Sequence, residues 1–341
     1  MFSAGIWRIG PSLKRLVLAV PLLDRGGAGG LPHGLGPCQS IAIWVFAMQD
    51  INPQIFVLGG LRIRMGEHAA APPLTGSARE LLSYLCTHLG KELRRERIAD
   101  LVWRDLDETR SRAALNTAVW RINKFVKTCR DLRLRSTSEY LCLEAADDVC
   151  VDATLLEGAV RRAIDVWNQD LLLSEAIRQN LVAGVALYVA PFLEDCAAEW
   201  ALVERERLFI LHLRGLGLLM QDCGMRRDYQ GALEYGNLIL SADPFREQVQ
   251  CEVMWLHVLS GQRAKALKQY SAYRALLARE MGLEPMAEMR ALATHIENDP
   301  DAELRLVEGR LGEAASSSRF AILMESLSRA RHETYRTLQT G

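Results

Sequence analysis

The 341-residue sequence contains no Cys-x-x-Cys pair, and none of its seven histidines lies three to five residues from another. Its eight cysteines, at 38, 86, 129, 142, 150, 196, 223 and 251, are scattered. That argues against a zinc site or a disulfide framework and for reduced thiols buried as small apolar groups. Gly-x-Ser-x-Gly, His-Glu-x-x-His and a Gly-Lys-Ser/Thr phosphate loop are also missing. Gly215-x-Gly217 has neither a third glycine nor a preceding strand, and the acid pair Asp147-Asp148 falls in an expected linker. The sequence thus points to no catalytic residue, no metal ligand and no cofactor, and the chain does not read as an enzyme. No apolar run is long enough to cross a bilayer: Leu16–Leu23 contains Pro21, and Ile41–Ala47 stops at Met48. A cytoplasmic location and no membrane partner are expected. Net charge is scarce too, at −1, which on its face speaks against a polyanion partner.

What remains is an ordinary globular composition, 49% apolar and 24% charged, at a length that suggests two or three domains. Residues 1–50 stand apart as an N-terminal extension. Arg8, Lys14 and Arg15 precede Leu16–Leu23 in the manner of a signal-peptide charge step, and a glycine-rich stretch follows from Gly26 to Gly36. Three readings stay open for it: a cleaved export signal, a disordered or anchoring extension, and a start placed too early, with translation beginning at Met48.

The pattern changes at Gln54, inside a first domain expected over 51–152. Ile55–Leu58 and Leu61–Ile63 are strand-like around Gly59-Gly60, and a turn-rich segment covers Gly66–Pro73. A helix is predicted after Ser77, with Glu80 at capping-box spacing, an apolar stripe of Leu81, Leu82, Leu85 and Leu89, and Gly90 as its C-cap. A second helix is predicted over 95–103, with Ile98, Leu101 and Val102 inward and Trp103 as core filler. A third is predicted over 111–129, burying Leu115, Ala118, Val119, Ile122 and Val126. Leu132–Leu134 and Tyr140–Leu143 then read as a hairpin about Ser136–Glu139. Three helices and a terminal hairpin describe a winged helix-turn-helix.

Charge supports this independently. Between Leu61 and Arg135 there are sixteen Lys/Arg against nine Asp/Glu, and Arg110–Arg135 holds eight bases and one acid, Asp131. Solvated helix faces usually interleave both signs; a one-signed third helix and hairpin match the electrostatic footprint of double-stranded DNA binding. The predicted contacts follow from groove chemistry. Asn116, Thr117, Trp120 and Arg121 stand nearest base edges, with Trp120 open to a sugar, a thymine methyl or a partner subunit instead. Arg112, Lys124 and Lys127 meet phosphates, and Arg135, at the hairpin's base, reaches an adjacent groove or backbone.

The runs Arg94-Arg95-Glu96-Arg97-Ile98-Ala99-Asp100-Leu101-Val102-Trp103 and Ser111-Arg112-Ala113-Ala114-Leu115-Asn116-Thr117-Ala118-Val119-Trp120-Arg121-Ile122 resemble the DNA-binding domain of the Streptomyces antibiotic regulatory protein (SARP) family. That domain is similar to the winged helix-turn-helix of response regulators. Where the family typically has Leu-Arg, this chain has Ile122-Asn123, which removes a cation at 123 and leaves Lys124 beside it.

Residues 136–341 reverse the sign, with 21 bases and 31 acids. Their patterning is helical. Asp228-Tyr229-x-x-Ala232-Leu233-Glu234-Tyr235, closing at Asp243-Pro244, resembles a tetratricopeptide repeat, and Ala266-Leu267 follows Ala232-Leu233 by 34 residues, with Arg263 at the Tyr229 position. Tyr188-x-x-Pro191-Phe192-Leu193-x-Asp195, Trp200-x-x-x-Glu204-Arg205-Glu206-Arg207-Leu208, Asp243-Pro244-Phe245-Arg246-Glu247 and Gly282-Leu283-Glu284-Pro285 resemble the bacterial transcriptional activator domain, expected over 153–300. The Glu204–Arg207 run reads either as an interaction surface or, preferred here, as a solvated face of paired charges. Residues 301–341 are expected to form a helical C-terminal tail, an extension of the scaffold or a partner site. The expected fold is mainly α: a winged helix-turn-helix with small β-sheets, then an all-α tetratricopeptide-like domain. The resemblance implies a DNA-binding transcriptional activator that contacts RNA polymerase and forms a homodimer on repeated sites. The alternative is a helical-repeat adaptor whose winged helix mediates protein contacts.

Overall fold

A computed structural model describes residues 54–66, 68–170 and 172–298. The expectations for residues 1–50 and 301–341 lie outside them. The described residues form two compact units, one of 54–163 with 174–212 and one of 164–173 with 213–298.

The first unit opens with an antiparallel sheet of β1 (Ile55–Phe56), β2 (Arg62–Met65) and β3 (His68–Ala70), in that order. Ile55 faces Ile63 across the first pair, and Ile63 faces Ala70 across the second. β3 occupies a segment read from sequence as turn only. Three helices follow: α1 (Gly76–Thr87), α2 (Arg95–Val102) and α3 (Glu108–Val126). A second sheet places β6 (Tyr140–Ala145) between β4 (Leu93–Arg94) and β5 (Leu132–Ser136). The expected hairpin is present, and β4 adds the strand that ties it to the start of α2.

Helix boundaries differ from the sequence reading where capping is decided by tertiary contact. α1 starts after Thr75 rather than Ser77, and Glu80 makes no capping box, because its carboxylate accepts a bond from Trp200 Nε1 at 3.3 Å. α1 ends at Thr87, with His88 as C-cap. Gly90, at φ 74°, instead donates its N–H to Leu143 of the hairpin. Leu81, Leu82 and Leu85 are buried as expected, whereas Leu89 lies past the helix, half-buried. In α2 the buried residues are Ile98 and Ala99; Leu101, Val102 and Trp103 are half-buried.

The same unit contains α5 (Glu175–Ala186) and the first halves of α4 (Asp152–Asp170) and α6 (Glu199–Met225). Buried Asp152 accepts hydrogen bonds from the N–H groups of Val57 at 2.9 Å, Leu58 at 3.0 Å and Ala153 at 2.7 Å. Phe192, wholly buried, bridges to Leu58 and Gly59, and Leu193 N–H donates to Val57. Arg205 donates to the carbonyls of Phe192, Leu193 and Cys196. The preferred reading of Glu204–Arg207 as a solvated face is therefore corrected at Arg205, whose guanidinium satisfies three loop carbonyls. Arg207 fits that reading in part, pairing with Glu204 three residues away and with Glu157 on α4. A Cβ at Gly184 would sit 2.5 Å from Ala159 Cβ, so α5 packs on α4 at backbone distance.

The second unit is built from α7 (Tyr229–Ala242), α8 (Glu247–Leu259), α9 (Arg263–Met281) and α10 (Ala287–Asn298), with the later parts of α4 and α6. The 34-residue repeat holds: α7 and α9 begin at the matched positions 229 and 263, and Ala232 and Ala266 are both wholly buried. Small residues there let paired helices approach closely. Gly236, one turn on, is tighter still, since a Cβ would lie 2.7 Å from Val253 Cγ2. No helix among the described residues is long and apolar enough to cross a membrane. Cys86, Cys129, Cys142, Cys150, Cys196 and Cys251 form no disulfide, and no described group of three His, Cys, Asp or Glu is placed to hold a metal ion.

Glu252 on α8 is 2% exposed, and burial pushes its carboxyl up to about 7 against a single bond from Gln248. A raised carboxyl binds its proton more tightly when folded. The protonated form's stability is full below the unfolded value of 4.5 and is lost as pH rises through about 7. Denaturant unfolding should accordingly be harder at about pH 5 than at about pH 8 by up to about 3 kcal/mol from this group. Glu252→Gln should flatten the slope and stabilise the chain at the higher pH; an unchanged slope would assign it elsewhere.

Candidate nucleic-acid interface

α3 is nucleated three residues earlier than its sequence pattern suggested, because Asp107 supplies the N-cap: its carboxylate accepts the N–H of Arg110 at 2.9 Å. The buried stripe is Ser111, Leu115, Ala118, Ile122, Phe125 and Val126. Phe125 takes the place expected for Val119, which is half-buried. This stripe turns the opposite face outward. Arg112, Asn116, Thr117, Trp120, Arg121, Lys124 and Lys127 are all exposed, so the helix brings together every predicted residue it carries.

They do not all present free groups. Arg112 pairs with Glu108 at 2.6 Å and lies 3.7 Å from Glu96. Thr117 spends its hydroxyl proton on the Ala113 carbonyl. Trp120 is 64% exposed, with Lys124 Nζ 5.7 Å above its ring, a cation–π contact that holds the ammonium against the indole. Among the described residues no ion pair engages Arg121, Lys124 or Lys127. Arg135, on β5, lies between Glu92 at 2.7 Å and Glu144 at 2.8 Å, and the bond to Glu92 leads the effects raising its pKa.

One residue of this surface escaped the sequence reading. Arg95, the first residue of α2, reaches Asn116 Oδ1 at 2.5 Å and Ser136 Oγ at 3.0 Å. It joins the start of α2, the exposed face of α3 and the hairpin. Burial lowers its pKa. The basic run Arg94-Arg95-x-Arg97 was visible in the sequence, but nothing local indicated which of the three would meet a residue 21 positions on.

The surface is cationic and rich in hydrogen-bond donors, with an exposed aromatic, Trp120, on it and a β-hairpin beside it. A helix of this kind is wide enough to fill the major groove of B-form DNA, and flanking cations can neutralise phosphates.

Residues 151–297 match the family model of the bacterial transcriptional activator domain. The chain is 28% identical over 259 residues to the regulatory protein AfsR of Streptomyces coelicolor, an alignment covering 70% of this chain and 24% of that protein. It therefore spans about a quarter of that relative's length. Among solved structures, Mycobacterium tuberculosis EmbR in complex with a low-affinity phosphopeptide has the same fold at a TM-score of 0.58 and 16% identity, over 83% of this chain and 70% of that one.

Replacing Asp107 by Ala should remove the cap of α3 and lower stability by about 1 kcal/mol. Thermal unfolding of the variant would check this. No change would mean that packing alone fixes the start of the helix.

Proposed function

We propose that this SARP-like chain, which carries a bacterial transcriptional activator domain at 151–297, is a sequence-specific DNA-binding transcriptional regulator, an activator, that reads the major groove with α3. The observation that carries the reading is one helix face on which Asn116, Thr117, Trp120, Arg121, Lys124 and Lys127 are exposed together, with no acidic partner holding the three cations among the described residues. Asn116, Thr117, Trp120 and Arg121 stand nearest base edges, and Lys124 and Lys127 meet phosphates. Arg112 and Arg135 contribute by exchanging carboxylates for phosphate, so each offers less than an unpaired cation. In this reading 51–152 engages DNA and 153–300 serves as effector or dimerisation module, with RNA polymerase and a second copy of the chain as partners in the cytoplasm. The names of the relatives support regulation as the function class.

The adaptor reading draws on a different surface: Val203 and Ile210 on α6 are 67% and 50% exposed, and apolar groups so placed suit a protein partner. The two readings part on DNA. Genomic footprinting with the full chain supplies a site. On that site Arg121→Ala should cost about 1–3 kcal/mol at one base position and relax its specificity, whereas Lys127→Ala should weaken all sequences alike and reduce the salt slope by about one. Identical profiles for the two variants would refute that division, and an absence of protected DNA would favour the adaptor.

A further inference from the structure

The geometry points to Arg95 as a specificity-determining residue: it occupies the acceptor side of Asn116 and converts that side chain into a donor-only reader that selects guanine rather than adenine. The inference rests on the DNA reading above and concerns a single base position within it.

A free asparagine on a major-groove helix recognises adenine with two opposite bonds. Its amide N–H donates to N7 while its carbonyl oxygen accepts from the N6 amino group. Here the orientation of the amide is fixed by chemistry. Arginine has donors and no acceptor, so the atom facing its guanidinium must be Oδ1, and the bond is a short 2.5 Å. The same guanidinium is anchored on the other side by Ser136 Oγ at 3.0 Å, and Arg95 N–H is tied to the Glu139 carbonyl at 2.9 Å. Swinging the guanidinium away from Asn116 would also give up its bond to Ser136 on the hairpin.

Two consequences follow for a base placed against Asn116. One carbonyl lone pair is taken by the guanidinium, and the positive charge beside Oδ1 repels the amino group of an adenine approaching the other. The two Nδ2 hydrogens remain to donate, since the bond to Arg95 engages only Oδ1. This is an all-donor pair. Guanine offers two adjacent acceptors in the major groove, N7 and O6, whereas adenine offers N7 beside a donor. Asn116 is exposed and shares its face with Trp120 and Arg121, so a base that reaches those residues lies within its range.

Sites selected by the full-length chain from a random duplex pool test the inference. The wild type should select guanine at one position, and Asn116→Ala should lose preference there and nowhere else. Arg95→Met, which keeps the stem without the donors, should move that position to adenine by roughly tenfold or more, and Arg95→Lys, which restores a donor, should keep guanine. A measurement on the unaltered protein guards against a misfolded variant: 7-deazaguanine at that position, lacking the N7 acceptor, should weaken wild-type binding several-fold. Adenine already preferred by the wild type, an Arg95→Met loss equal on all sequences, or indifference to 7-deazaguanine would each overturn the role of Arg95 while leaving DNA binding intact. A pool from which no duplex is enriched would overturn both.

Discussion

Asp152 holds the first sheet to the start of α4. Its buried carboxylate accepts the N–H groups of Val57 and Leu58, 95 and 94 residues earlier, and burial pushes its pKa up to about 6 even against those bonds. The group is retained although burying a carboxylate is costly, because the alternative is two buried backbone donors without acceptors, each costing about 1–3 kcal/mol. Gln54 and Cys150 add a second tie beside it, through the Gln54 side chain and backbone bonds. The strand that opens the described chain and the helix that follows the hairpin are thereby fixed together, with the winged helix closed between them.

A second set of bonds extends this frame to the loop before α6. Arg205 satisfies three of its carbonyls, Arg79 on α1 pairs with Asp195 at 2.6 Å, and Trp200 rests edge-on against Tyr84 and Phe192. The first unit thus includes helices that the sequence pattern assigns to the helical half. One effect is on α1, which is held from behind by these contacts and in turn backs α3. The cationic face of α3 can then be exposed on a supported helix, and the near-zero net charge resolves into a basic winged helix and an acidic helical remainder.

Much of this was legible in the sequence, and what was not has a common cause. Period 3.6 located α1, α2 and α3, and the spacing of Ala232 and Ala266 located α7 and α9, because each signal is local and repeated. The start of α3 was placed three residues late, because the apolar stripe that located the helix does not reach the cap that Asp107 supplies. Glu80 was misread as half of a capping box because its real partner, Trp200, is 120 residues away. Arg205 looked like one of four alternating surface charges; its role depends on a loop whose carbonyls turn inward, with Leu193 at a φ of 40°. On the candidate interface the face of α3 followed from periodicity. The Arg95–Asn116 bond did not, because two helices and a hairpin must be assembled before the residues meet.

In the proposed reading α3 and its hairpin form a surface for the DNA backbone and major groove. Affinity of the full chain for a duplex recovered by footprinting, measured as salt rises from about 50 to 200 mM, tests it most directly. Contact with six to ten phosphates should reduce affinity by about 10³–10⁵ across that range. Binding that ignores salt, or no binding to any genomic duplex, would contradict the account.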